Sequence, residues 1–195
     1  MLKTKWIEKK IPYTGEELHS LFAYLNHGVL GDSVVAFRGS CEVSFDHMVD
    51  GEDLLEQAKI QGSDMVHFIF EIFDRPLFAG VLLQRLFAAV VIDVLKSLAN
   101  ANADAKSKVS LDLQRSGDDI YWQNKKLSIS IATRSPNSTM IHFAVNVSNE
   151  GTPVLTCSLE DFGIEPQRFA ETCLCSIQAE YESVLMATHK VKAVK

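Results

Sequence analysis

Asp119 stands seven residues ahead of Lys126, beside a second carboxylate at Asp118, and Lys126 opens an apolar-alternating run. A lysine ammonium is a compact positive charge that can hold a carboxylate and stabilise negative charge developing in a dry pocket. Gly117-Asp118-Asp119 has the composition of a plain turn, and composition alone does not separate that reading from a site.

The run after Lys126 has a period of two. Leu127, Ile129 and Ile131 fall on one side, and Lys126, Ser128 and Ser130 on the other. Arg134 to Ser138 supplies turn chemistry, and a second run then sets Ile141, Phe143 and Val145 against His142, Ala144 and Asn146. Closed as a hairpin, this pattern predicts a polar wall of Lys126, Ser128, Ser130, His142 and Asn146, with Ala144 leaving space for a ligand. The same alternation also describes a sheet whose polar face simply meets water.

Four further groups carry possible chemistry. Cys157 ends the apolar stretch Val154-Leu155-Thr156-Cys157 and by its surroundings reads as a small buried thiol. Arg38 and Gly39 follow a short strand, Ser33 to Phe37, as a phosphate contact or a turn. Asp46, His47, Asp50, Glu52 and Asp53 match neither an EF-hand loop nor a two-histidine zinc helix, and read as a solvated acidic loop. His67 and Glu71 share one strand face, at a pocket floor or in the core.

The segment from Asp118 to Leu127 resembles the part of biotin and lipoate protein ligases that runs from an Asn-Asp pair to the lysine holding carboxylate and adenylate. Met65-Val66-His67-Phe68-Ile69-Phe70-Glu71 with the following helix, and Ser158-Leu159-Glu160-Asp161-Phe162-Gly163-Ile164 with its helix, are similar to that fold in the same order. Gly31 to Gly39, Met48-Val49-Asp50 and Gln84-Arg85-Leu86 resemble domain of unknown function 366, grouped by fold with class II aminoacyl-tRNA synthetases and these ligases. The resemblance implies an α+β fold, ATP and Mg2+ as cofactors, a small carboxylic acid or an acyl carrier as partner, Lys126 in the site for the carboxylate and Asp119 for Mg2+, and Arg38 and Gly39 in place of an adenylate-binding loop. It departs from the ligases in keeping only one glycine and one arginine there. Lys126, His142, Asn146-Val147 and Cys157 also follow the order of lipoyl-type octanoyltransferases, which would make Cys157 carry the acyl group in an ATP-independent transfer. A third possibility is a binding module of the same fold without catalysis.

Composition narrows the partners. A net charge of −6 and a pI near 5.5 argue against a phosphate-tracking surface for nucleic acid. Lysines cluster near both ends and read as solvated tails. No apolar segment follows the N-terminal lysines, so we expect a cytoplasmic chain whose four cysteines are reduced. The stretch from Leu77 to Ile92 is interrupted by Gln84 and Arg85 and is expected to be a core helix or a subunit interface, with a homodimer expected and no membrane span.

These residues must be positioned by one domain over 1–195, a two-layer α+β arrangement of one mixed or antiparallel sheet with packed helices. The patterning predicts a strand over 3–11, a helix from Thr14 to Gly28, strands over 33–37 and 65–72, and a long helix over 80–98. It further predicts a surface connection over 97–108, a strand over 109–113, the hairpin, and a helix from Pro166 to about Leu185.

Overall fold

The computed structural model describes residues 1–102 and 111–194. Its elements run β1 (Lys3–Ile7), α1 (Phe22–His27), β2 (Ser33–Val43), α2 (Gly51–Glu56), β3 (Ile60–Phe73) and α3 (Leu77–Asn102). They continue with β4 (Leu113–Ser116), β5 (Asp119–Trp122), β6 (Lys125–Lys126), β7 (Ser128–Arg134), β8 (Ser138–Asn146) and α4 (Pro166–His189).

The apolar runs that alternate become a five-stranded mixed sheet in the order β1-β2-β3-β8-β7, with β1 and β2 parallel and the other pairs antiparallel. A small antiparallel sheet, β4-β5-β6, stands beside it. Period-two patterning gives the large sheet two apolar faces. Val66, Phe68 and Phe70 of β3 pack with Phe143 and Val145 of β8 under Phe87 and Val91 of α3 and Phe169 and Cys173 of α4. On the other face Val35, Phe37, Met65, Ile69 and Met140 meet Tyr13 and Phe22. The long helices therefore cover one face only, and the opposite face is left to the N-terminal segment and a cavity.

Helix α3 is long and apolar enough by length and composition to cross a membrane. Here it lies on the sheet with Phe87, Ala88, Val91 and Leu95 buried, approaching β8 so closely that a Cβ on Gly80 would stand 2.2 Å from the Thr139 methyl carbon. It starts and ends beyond the predicted 80–98. The predicted connection over 97–108 is helical as far as Asn102, and the rest of it, with the first residues of the predicted strand 109–113, lies outside the described residues. Helix α4 begins as expected with Pro166 in its first turn, capped by Glu165, whose carboxylate accepts from the N–H groups of Gln167 and Arg168.

Several expectations change. The predicted strand over 3–11 ends at Ile7, and the one predicted over 109–113 begins, among the described residues, at Leu113. The predicted helix from Thr14 shortens to Phe22–His27, because Leu21 is left-handed (φ 63°) and its N–H is drawn to Glu71 Oε1 at 2.8 Å; its stop at Gly28 holds. The strand expected to end at Phe37 runs on to Val43, so Arg38 and Gly39 lie inside a strand and not in a loop, with a bulge between Gly39 and Cys41.

Candidate functional site

The backbone of Lys126 is fixed from several sides. Gln123 and Asn124, both left-handed (φ 50° and 64°), make the two-residue turn that folds β6 back on β5. The Lys126 N–H donates to the Leu155 carbonyl at 3.0 Å. Its own carbonyl accepts from the Cys157 N–H at 3.1 Å and from Asn146 Nδ2 at 3.2 Å. The ammonium pairs with Asp119 Oδ2 at 2.9 Å, and the Tyr121 hydroxyl donates to the same oxygen at 3.2 Å. Burial, then the charge of Asp119, raises the pKa of Tyr121 and keeps that proton in place.

Asp118 is bound differently from its neighbour. Its Oδ2 accepts from the Ser130 hydroxyl at 2.6 Å and from Gln84 Nε2 of α3 at 2.9 Å, while Gln84 also reaches Ser130 Oγ at 2.8 Å. The polar interruption of an apolar helix is thus a clamp on the acidic turn. It was the one signal in the sequence from which this role of Gln84 could have been read.

Lys126, Asp118 and Asp119 line a cavity of about 440 Å³ whose floor includes Met65, Ile129 and Ile131. Asp50, Asp53 and Lys59 lie on its α2 side, and Thr152 to Val154 on another. Burial and the neighbouring Asp50 raise the pKa of Asp53, and the charge of Lys126 partly opposes them.

Deeper in, two histidines are stacked among aromatic rings. His142 is 3% exposed and lines the cavity; His67 lies behind it, fully buried. His67 Nε2 is 3.2 Å from the Gly39 carbonyl, and His67 Nδ1 is 3.0 Å from His142 Nε2. Tyr13 covers His142 with ring centroids 3.6 Å apart and planes 13° from parallel. Burial lowers both histidine pKa values, that of His67 to about 4, so both rings are neutral at physiological pH.

Lys126, Asp119, Ser128, Ser130, His142 and Asn146 all line the cavity, but the two serines do not present their hydroxyls beside His142. The expected polar wall is split across the sheet: Ser128 and Ser130 pair with Val145 and Phe143, whereas Ile129 and Ile131 pair with Ala144 and His142. Directly paired residues share a face, so the serine hydroxyls lie on the side of the helix layer and the isoleucines on the side of His142. The reason is satisfaction of buried hydroxyls. Ser128 Oγ accepts from the Ile120 N–H at 3.0 Å, and Ser130 joins Asp118 and Gln84. The amide of Asn146 is engaged with the carbonyls of Lys126 and Cys157 and positions the lysine's backbone.

Arg38 pairs along β2 with Val66, on the face of the helix layer, and its guanidinium holds Asp64 through bonds of 2.6 to 3.0 Å; it is not among the cavity residues. Gly39 is required by a close approach: a Cβ there would stand 1.8 Å from the Ile11 carbonyl oxygen. Cys157 is fully buried in the core, its thiol 3.5 Å from the Lys125 carbonyl, and burial pushes its pKa up to about 11. It is not among the residues that line the cavity. Glu71 shares a face with His67 as expected, but its carboxylate is bound by Ser138 and the Leu21 N–H. Asp50 caps α2, and no group of three or more possible metal ligands occurs among the described residues. Tyr13 was missed because nothing local marks a tyrosine that reaches the site through a single bridge to Cys41.

The sequence profile of a domain of unknown function (DUF366) matches residues 2–192. The chain belongs to the DUF366 family. An uncharacterized protein of Methanocaldococcus jannaschii is 32% identical over 166 residues, covering 82% of this chain and 70% of that one. A protein of unknown function from Pyrococcus horikoshi, of solved structure, is 38% identical with a TM-score of 0.90, covering 100% of both chains. The fold is also similar to the crystal structure of biotin protein ligase from Aquifex aeolicus. That match has a TM-score of 0.57 at 15% identity and covers 94% of the DUF366 chain and 71% of the ligase. The expected α+β fold of biotin-ligase type is therefore correct, and at this identity the likeness is one of fold.

Proposed function

We propose that this DUF366 chain binds a small carboxylic acid in the cavity, carboxylate on Lys126 and body over Ile129 and Ile131, and activates it with Mg2+-bound ATP. The observation that supports this reading is the Lys126–Asp119 ion pair on the wall of a cavity of about 440 Å³ with an apolar floor. That volume is of the size that takes small molecules.

The residues present fit a nucleotide only as its metal complex. Five carboxylates, Asp50, Glu52, Asp53, Asp118 and Asp119, line the cavity against Lys59 and Lys126, so bare phosphates would meet repulsion. Mg2+ takes one or two protein carboxylates and completes its shell with phosphate oxygens and water, and Asp119 would be one of them. ATP, when bound, would supply the leaving group that makes the carboxylate reactive. The chain's own contribution is positional and electrostatic. A cation at Asp119 would leave the Lys126 ammonium to the acid's carboxylate; Asn146 holds that lysine's backbone, and Gln84 holds Asp118.

A second reading, binding without activation, is favoured by Arg38, whose guanidinium is spent on Asp64 on the opposite side of the sheet. Thermal unfolding separates the two. Melting is followed with a panel of carboxylic acids, with and without ATP and Mg2+, for the wild type and Lys126→Ala, since a ligand that binds only the native state raises Tm. A rise that needs an acid together with ATP and Mg2+, and is lost in Lys126→Ala, supports activation. A rise with the acid alone supports the binding module, and no rise with any acid refutes both.

A further inference from the structure

The hydrogen-bond chain at the cavity floor has only one consistent arrangement of protons. A carbonyl oxygen cannot donate, so His67 Nε2 carries the proton toward Gly39. His67 is neutral, which leaves its Nδ1 as an acceptor, and His142 Nε2 must then be the donor across the 3.0 Å contact. One nitrogen of His142 remains, the unprotonated Nδ1, and no described residue donates to it. The ring cannot rotate to hide it, because Tyr13 is stacked on it at 3.6 Å and the Nε2 bond would be lost.

We infer that His142 is a specificity-determining residue, a fixed hydrogen-bond acceptor that selects acids carrying a neutral N–H or O–H donor on the part of the molecule remote from the carboxylate. This inference rests on the carboxylate reading of the cavity and adds the chemistry of the ligand's other end. His67 and the Gly39 carbonyl are positioning groups that act through His142. A purely aliphatic acid would bury the Nδ1 lone pair without a partner, a cost that a donor-bearing acid avoids. The depressed pKa of His142 agrees with a nitrogen that accepts a hydrogen bond without taking the proton.

The experiment compares matched ligands on the intact chain: ω-hydroxy acids of six to ten carbons against the unsubstituted acids of the same lengths, each with ATP and Mg2+. The affinity of the best hydroxy acid is expected to exceed that of its plain counterpart about tenfold or more. The preference should vanish in His142→Phe and weaken in His67→Asn. In parallel, 15N NMR of labelled histidines reads the tautomer without any ligand, and is expected to show His142 protonated at Nε2 and bare at Nδ1. Equal affinities within the pairs, or a proton on Nδ1, overturn the inference while leaving the carboxylate reading standing. Failure of every acid, plain or substituted, overturns both. Should His142→Phe not fold, the wild-type pairs and the NMR still decide.

Discussion

Ser130 donates its hydroxyl proton to Asp118 across 2.6 Å, and Gln84 of the long helix closes the triangle by donating to both. This joins three elements distant in sequence, α3, the β4–β5 turn and β7. Replacing Gln84 by Leu removes the only described amide donor to this carboxylate and leaves Asp118 with one partner. The expected loss is about 1–3 kcal/mol in chemical denaturation, with weaker ligand binding because the acidic turn is released. Gln84→Glu should be worse than Leu, since it sets a second carboxylate against Asp118.

The buried histidine pair makes stability depend on pH in a definite direction. The unfolded chain protonates His67 near 6.5, whereas the folded chain resists until about 4. The unfolded state therefore binds more protons in this window, so stability is complete above 6.5 and falls as pH drops toward 4. His142 acts in the same direction. His67 alone should account for roughly 3 kcal/mol. Urea unfolding at neutral pH and at about pH 5 checks this, and a flat profile would sink it.

Lys126→Ala should hardly alter the stability of the free protein. Lys126 and Asp119 are 29% and 26% exposed, and a pair so placed contributes about 1 kcal/mol or less. The ligand-induced rise in Tm should nevertheless be abolished. A melting temperature many degrees lower without any ligand would show that the lysine is a structural residue instead.

Gly39→Ala is expected to cost about 3 kcal/mol or more, because the new Cβ meets backbone and not a side chain that can turn aside. The damage should spread to the cavity, since the displaced residues 11–13 carry Tyr13. Loss of the stacked His142 environment would be visible in its NMR shifts.

Thiol titration tests the placement of Cys157. Among the free cysteines Cys175 is exposed, while Cys41, Cys157 and Cys173 are buried with raised pKa values. One thiol should react fast with a thiol reagent in the native protein, and it should be lost in Cys175→Ser. Rapid labelling of Cys157 would contradict its burial and restore it as a nucleophile.

Much of the frame was legible because periodicity reports burial: the β7–β8 hairpin, the middle of β3, the long apolar helix and the Pro166 start all appear where the patterns place them. Lys126 and Asp119 were both legible as site residues through the resemblance, one for a carboxylate and the other for Mg2+, but their ion pair with each other was not foreseen. Nor was the orientation of β7. Ser128 and Ser130 line the cavity as their polarity suggested, but their hydroxyls are already engaged with Ile120, Asp118 and Gln84, partners that period-two alternation does not reveal. Tyr13 and the His67–His142 contact depend on strand order, which no local pattern encodes.

The resting ion pair between Lys126 and Asp119 also sets how the site responds to ionic strength. An acid that docks on Lys126 swaps one carboxylate partner for another, so the number of paired charges is nearly conserved and few bulk ions are taken up or released. Its affinity should therefore change little with added salt, unlike that of a lysine waiting free in a cleft. Acetate or chloride, with nothing to bury over Ile129 and Ile131, should gain no advantage over Asp119 and so should compete poorly for the site.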